Sequence, residues 1–253
     1  MTIHIEKSGR IARITIDRAP VNALTIGLYQ EIAEIFESTK DWHDINCILL
    51  TAAGTRAFCA GLDLNEFLAA KVEDDPARAA IVRRMFTAVR NASMPVIVAV
   101  NGPALGAGCV LASCCDIRIA ADTATFGLPE INVGRCGGGA HLGRLVPQST
   151  LRRMFFTGRP IDAAEALRVG LVSEVVPGAQ LMQTAQDLAE VIAAKAPLGL
   201  RLGKQALNEI EFMEVDAGYA KEQGYSTRLM ATEDAREATR AVVEKRAPVF
   251  VGR

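Results

Sequence analysis

From Pro95 to Val100 the chain reads Pro-Val-Ile-Val-Ala-Val with no polar interruption. An apolar run of that length is a strand of the kind covered on both faces, and such a strand needs helices to cover it. The neighbouring sequence supplies them. Apolar positions at helical spacing predict a helix over roughly Pro76 to Arg90. Downstream, Asn101-Gly102-Pro103-Ala104-Leu105-Gly106-Ala107-Gly108-Cys109-Val110 reads as a strand end turning through small residues into a second helix. The fold class expected is therefore α/β.

The rest of the chain continues that alternation. Ile3-His4-Ile5 and Ile11 to Ile16 flank Ser8-Gly9 as a β-hairpin, and Thr25 is the N-cap expected for a helix carrying Ile26, Leu28, Tyr29, Ile32 and Phe36. Cys47 to Leu50 reads as a buried strand, with a loop at 53–56 and a helix beginning near Leu62. Further strands are expected at Asp116 to Ala120, Thr123 to Phe126 and Ser173 to Val176, and helices at Leu142 to Leu145, Thr150 to Phe156 and Ala163 to Val169. After Pro177-Gly178 the strand signal ends and about three helices follow. We expect a core over 1–178 and a helical C-terminal region over 179–253. Periodicity alone does not say how the strands are wound.

Charge and cysteine usage narrow the function classes. With a net charge of −1 and its Lys and Arg dispersed, the chain of 253 residues has no basic footprint for nucleic acid or an acidic membrane surface. A small neutral or locally anionic ligand is expected instead. The six cysteines lie in or beside apolar runs without a C-x-x-C pair, which reads as buried free thiols in a reducing compartment, with no metal site. The first residues lack the features of a signal peptide, and no apolar stretch is long enough to span a bilayer. A cytoplasmic location is expected.

Two passages of small residues carry the chemical signal. In the first, Gly54-Thr55-Arg56-Ala57-Phe58-Cys59-Ala60-Gly61-Leu62-Asp63-Leu64, an N–H near Leu62 is presented at a helix start; the second is the passage through Ala107. Alone, either is accounted for by tight helix–strand packing. Together, following consecutive core strands, they can aim one N–H each at a common oxygen, as a thioester carbonyl requires when its α-carbon loses a proton. Phe126-Gly127-Leu128-Pro129-Glu130 delivers one carboxylate in a loop after a strand, and Gly134, Gly137, Gly138 and Gly139 give a backbone that a ligand can approach. The histidines His4, His43 and His141 form no triad, no serine sits in a G-x-S-x-G elbow, and neither a dinucleotide fingerprint nor a P-loop is present.

These residues resemble the enoyl-CoA hydratase/isomerase (crotonase) superfamily. The motifs that carry the resemblance run in order along nearly the whole chain: Val21-Asn22-Ala23-Leu24, Arg56 to Leu64, Asn101-Gly102 through Cys109, Cys115-Asp116-Ile117, Phe126 to Glu130, Thr157-Gly158, Gly170-Leu171-Val172 and Glu244-Lys245-Arg246. The resemblance implies a superhelix of repeated ββα units with helical C-terminal elements that build a trimer or a dimer of trimers. It implies an acyl-CoA substrate and no separate cofactor, coenzyme A being carried on the substrate. It also implies that the N–H groups of Leu62 and Ala107 form an oxyanion hole, that Glu130 moves a proton, and that the N–H of Gly138 helps place a water or the reacting carbon. Val21, Arg56 and Ala60 would line the CoA path, and Lys245 would reach the CoA phosphates of a neighbouring subunit.

The departures from the family pattern bear on the reaction. Hydratases of this family typically use two glutamates, and the first of the two positions is occupied here by Val110, which the resemblance places in the substrate-binding site and which cannot carry a proton. His141 stands where a glycine is usual. The expectation is an enzyme, a lyase or isomerase, that shifts an enoyl-CoA double bond or hydrates it with Glu130 as the single carboxylate. The alternatives are a CoA-thioester hydrolase or C–C lyase on the same scaffold, and a silent acyl-CoA-binding scaffold.

Overall fold

The computed structural model describes residues 2–253. The N-terminal hairpin forms as expected, β1 (Ile3–Ser8) pairing antiparallel with β2 (Ile11–Ile16). From β2 onward the main sheet is parallel: β2 pairs with β3 (Cys47–Ala52) and β3 with β4 (Val96–Val100). The chain then makes the two-residue strand β5 (Ala104–Leu105) before β6 (Ile117–Ala121), which returns beside β4. Next come β7 (Thr125–Gly127), β8 (Ile161–Asp162) and β9 (Glu174–Val176), the last pairing with β6. The result is a six-stranded sheet ordered β1-β2-β3-β4-β6-β9 and a small second sheet, β5-β7-β8.

Period-two alternation in β4 decides what covers the sheet. Val96, Val98 and Val100 face the larger core with Ile48 and Leu50, while Ile97 and Ala99 face the other side with Leu49 and Ile119. Every residue of β4 is fully buried. The larger core is closed by α1 (Ile26–Ser38), which brings Leu28, Ile32 and Phe36. After the single-turn α2 (Leu64–Ala69), α3 (Asp75–Arg90) adds Met85 and Val89, and α4 (Ala107–Cys114) adds Leu111. Thr25 caps α1, its hydroxyl accepting from the Leu28 N–H at 3.3 Å, so the cap read from the sequence is the one used.

Three further helices follow before β9: α5 (Gly139–Leu142), α6 (Gln148–Thr157) and α7 (Ala163–Arg168). The expected helix at Leu142 to Leu145 therefore lies three residues earlier, because left-handed Gly138 (φ 76°) lets the chain turn into it there. Beyond β9, α8 (Leu181–Ala193) lays Leu181, Ala185, Ala189 and Ala193 along the second face of the sheet. Small alanines at i, i+4 spacing let this helix approach closely. It is followed by α9 (Pro197–Ile210), α10 (Val215–Met230) and α11 (Glu233–Glu244). The region holds four helices where the sequence predicts about three. The last division is made by Thr232, whose hydroxyl accepts from the Ala235 N–H at 3.1 Å.

One polar side chain ties the first motif to the sheet. Asn22, buried and in the left-handed region (φ 54°), donates to the carbonyls of Ala53 and Ala57, both at 3.0 Å, and accepts from the Arg18 N–H at 2.8 Å. Asn tolerates that backbone conformation better than most residues. Asn22→Ala leaves two carbonyls without this donor and is expected to lower unfolding free energy by about 2 kcal/mol, measured by urea titration.

Candidate active site

The two small-residue passages lie side by side as a short parallel bridge between Cys59 and Ala104. The Leu105 N–H donates to the Cys59 carbonyl at 2.9 Å, and the Cys59 N–H to the Pro103 carbonyl at 3.2 Å. On the opposite edge Leu24 bridges Leu62, with the Leu24 N–H donating to the Gly61 carbonyl at 2.7 Å and the Ala60 N–H to the Val21 carbonyl at 3.0 Å. Asn101 secures the strand ends, its Nδ2 donating to the carbonyls of Ala52 (2.8 Å) and Gly54 (3.0 Å). The first passage enters α2 through Asp63, whose carboxylate accepts from the N–H groups of Asn65 and Glu66. That cap moves the helix start from the expected Leu62 to Leu64.

Close approach explains the glycines. A Cβ on Gly108 would stand 2.2 Å from the Cys59 carbonyl oxygen, and one on Gly61 (φ 94°) would stand 2.9 Å from the Leu105 oxygen and 3.5 Å from the Ala107 nitrogen. The passages can touch only because those side chains are missing. Ala107 is the first residue of α4, so its N–H has no acceptor within the helix. Among the described residues neither it nor the Leu62 N–H donates a hydrogen bond, and both residues line one cleft of about 530 Å³.

Glu130 enters the same cleft. Rather than an open loop, Pro129–Val133 is a short 3-10 turn closed by left-handed Gly134. A Cβ on Gly106 would meet Glu130 Oε1 at 3.0 Å, so the carboxylate rests against the residue immediately before Ala107. Its Oε2 is buried without a hydrogen-bond partner among the described residues. Burial pushes the Glu130 carboxyl above the usual range, with a hydrogen bond to its own backbone N–H opposing it in part. A carboxyl kept from water and biased toward its neutral form is suited to accept and return a proton near neutral pH.

Among the described residues Glu130 is the one carboxylate of the cleft without an ionic partner. Val110, 3% exposed, occupies the cleft wall opposite Gly138, where a Cβ would come within 2.7 Å of Val110 Cγ2. Two further carboxylates line the cleft and both are engaged. Glu66 accepts from the Ile26 N–H at 2.8 Å and faces Arg78 at 3.8 Å, while Asp75 pairs with Arg135 at 2.9 Å.

Of the residues singled out in the sequence, Ala60, Leu62, Ala107, Val110, Glu130, Gly137, Gly138 and His141 line this cleft. Arg56 and Lys245 are exposed and lie outside its lining, and Val21 meets it only through the carbonyl that holds Ala60. Sequence reading missed the wall formed by Tyr29 and Phe86, whose rings meet edge to face at 6.3 Å. On the amphipathic faces of α1 and α3 they are indistinguishable from core. It also missed Phe67, with the Arg135 guanidinium 4.8 Å over its ring. Among the described residues no group of three or more His, Cys, Asp or Glu is arranged to hold a metal ion, and no helix is long and apolar enough to cross a membrane.

Comparison with known proteins agrees in both sequence and fold. Residues 6–253 match the family model described as enoyl-CoA hydratase/isomerase. The chain is 36% identical over 246 residues to the short-chain-enoyl-CoA hydratase of Clostridium acetobutylicum, covering 96% of this chain and 94% of the relative. It is 37% identical over 257 residues to the 2,3-dehydroadipyl-CoA hydratase of Escherichia coli, covering 98% of each. The crystal structure of enoyl-CoA hydratase from Bacillus anthracis superimposes with a TM-score of 0.96 at 32% identity, covering all of both chains.

Proposed function

The chain belongs to the enoyl-CoA hydratase/isomerase family, and from that premise we propose that it acts on an acyl-CoA thioester through a main-chain oxyanion hole and one carboxylate. In this reading, for double-bond isomerisation, Glu130 removes a proton from the α-carbon, whereas for hydration the attack of water on the β-carbon supplies the electron pair. The electron pair moves onto the thioester oxygen, which is held by the N–H groups of Leu62 and Ala107. For double-bond isomerisation the same carboxyl returns the proton to the γ-carbon. For hydration Glu130 takes a proton from water as the water oxygen adds to the β-carbon, then gives it to the α-carbon. The N–H of Gly138 helps place the water or the reacting carbon. The observation that carries the reading is Glu130: a half-buried carboxyl beside Gly106 whose Oε2 has no hydrogen-bond partner among the described residues, in a cleft whose other two carboxylates are engaged.

The finer assignments rest on the family resemblance. Val21, Arg56 and Ala60 follow the CoA moiety, and Lys245 serves a neighbouring subunit. Its exposure at the end of α11 suits that role. The region 179–253, with Leu207, Phe212, Val215, Tyr219, Val242 and Val243 exposed, builds a trimer or a dimer of trimers and covers the site. Coenzyme A arrives as part of the substrate, no resident cofactor is called for, and the protein works in the cytoplasm.

Incubation with acyl-CoA in deuterated water tests the reading. The expected result is deuterium at the α-position, detected by mass. A protein that binds the thioester but leaves the α-proton in place is a silent scaffold, and the proposal fails. Because burial raises the Glu130 pKa and the base is the ionised form, exchange should climb with pH through a midpoint above the ordinary Glu value of about 4.3.

A further inference from the structure

His141 has no part in the chemistry above, yet it lines the same cleft as Val110 and Glu130. Its position follows from two helices. Cys114 lies one turn of α4 beyond Val110, about 6 Å along the axis, and its Sγ stands 3.5 Å from His141 Nδ1. The ring packs at a 55° tilt against Phe86, with centroids 5.4 Å apart. An imidazole fixed on two sides is not a mobile surface group.

The contact with Cys114 bears on which nitrogen carries the proton. Burial pushes the Cys114 thiol up to about 12, so it remains S–H at neutral pH, and His141 is its one hydrogen-bond partner among the described residues. We assign the thiol as donor and Nδ1 as acceptor, since a neutral imidazole nitrogen is a far better acceptor than a thiol sulfur, and this places the hydrogen on Nε2. Nε2 makes no hydrogen bond to protein among the described residues. Burial first, then Arg144 and Arg90, lowers the His141 pKa, which favours the neutral ring. Both arginines are held on Glu211, Arg144 at 2.5 Å, and so stay beside the imidazole rather than in the cleft.

We propose that His141 is a specificity-determining residue that offers Nε2–H to the acyl end of the cleft, and that the acyl group accepted there carries an sp² oxygen, of a carbonyl or carboxylate, several bonds beyond the reacting carbons. The inference rests on the acyl-CoA reading of the same cleft and names its substrate class. A purely hydrocarbon chain would leave the N–H donor desolvated and unpaired, a cost that disfavours it.

Binding separates this proposal from the catalytic one. Dissociation constants are measured by calorimetry on the intact protein for three saturated acyl-CoAs of equal length: a straight alkyl chain, its oxo analogue and its ω-carboxy analogue. We expect the oxo or the carboxy form to bind about tenfold tighter than the alkyl form, and which of the two identifies the oxygen. His141→Leu should bring the ratio close to one, whereas His141→Gln, which keeps an N–H donor, should retain part of it. A wild type that binds the alkyl chain as tightly as both oxygenated forms overturns the proposal whether or not the Leu variant folds; so does a Leu variant with the preference unchanged. Deuterium exchange on the same proteins reads Glu130 independently. Preference without exchange would fail the catalytic reading alone, and exchange without preference would fail this one alone.

Discussion

Glu130→Gln is expected to lower turnover by about 10³-fold or more while acyl-CoA affinity changes little, because an amide of the same shape fills the space but accepts no proton. Stability separates a loss of chemistry at this position from a loss of fold. Folding raises the Glu130 pKa above its unfolded value, so the protonated form is the one that folding favours. Its contribution is complete below the unfolded pKa and is lost as pH rises through the folded value. Above the folded value the wild type therefore carries an ionised, poorly solvated carboxylate that the Gln variant lacks. The variant should melt at the same temperature as wild type or higher at pH 7, and the difference should vanish in acid. A variant that loses turnover and also melts early would show that Glu130 supports the fold, not the chemistry.

The second large effect is expected at Gly108. Within a helix Gly→Ala ordinarily stabilises by about 0.5–1 kcal/mol, but here the added carbon would stand 2.2 Å from the Cys59 carbonyl oxygen and 2.8 Å from Cys59 Cβ. The obstacle is backbone, so it cannot rotate away; α4 must shift or the Cys59–Ala104 bridge must open. Overpacking of this kind costs about 1–3 kcal/mol, visible as a lower melting temperature. The same shift moves the Ala107 N–H relative to Leu62, and misplacement by about 1 Å is enough to cost about 10²-fold in rate. Gly108→Ala should thus reduce activity in the fraction that remains folded. Full activity with an unchanged melting temperature would mean the two passages are not coupled as their contact implies.

Much of this architecture was legible because burial writes itself into the sequence as period. The alternation of Val96, Val98 and Val100 against Ile97 and Ala99 is hidden in a run that is apolar throughout, yet the run itself announces a strand with both faces covered. Caps were legible where Ser, Thr or Asp stood before an apolar stripe, as at Thr25. Less visible were elements whose cause lies elsewhere in the chain. β5 and β8 span two residues each and exist because β7 runs between them. The division of the C-terminal region by Glu214 and Thr232 has neither Gly nor Pro to mark it. At the site, Glu130 stood out by its company, whereas Tyr29, Phe86 and Phe67 read as core or surface until the fold placed them around a cavity.

The bridge between Cys59 and Ala104 has a consequence for how such a protein can change over generations. The N–H groups at Leu62 and Ala107 are properties of the main chain, present whatever side chain is encoded there, proline excepted. What a point mutation can alter is the wall: Val110, Phe86, His141 and the carboxyl at Glu130. On the proposed reading, descent with modification can therefore rewrite the acyl selectivity and even the class of reaction one side chain at a time, while the amide pair is inherited unedited.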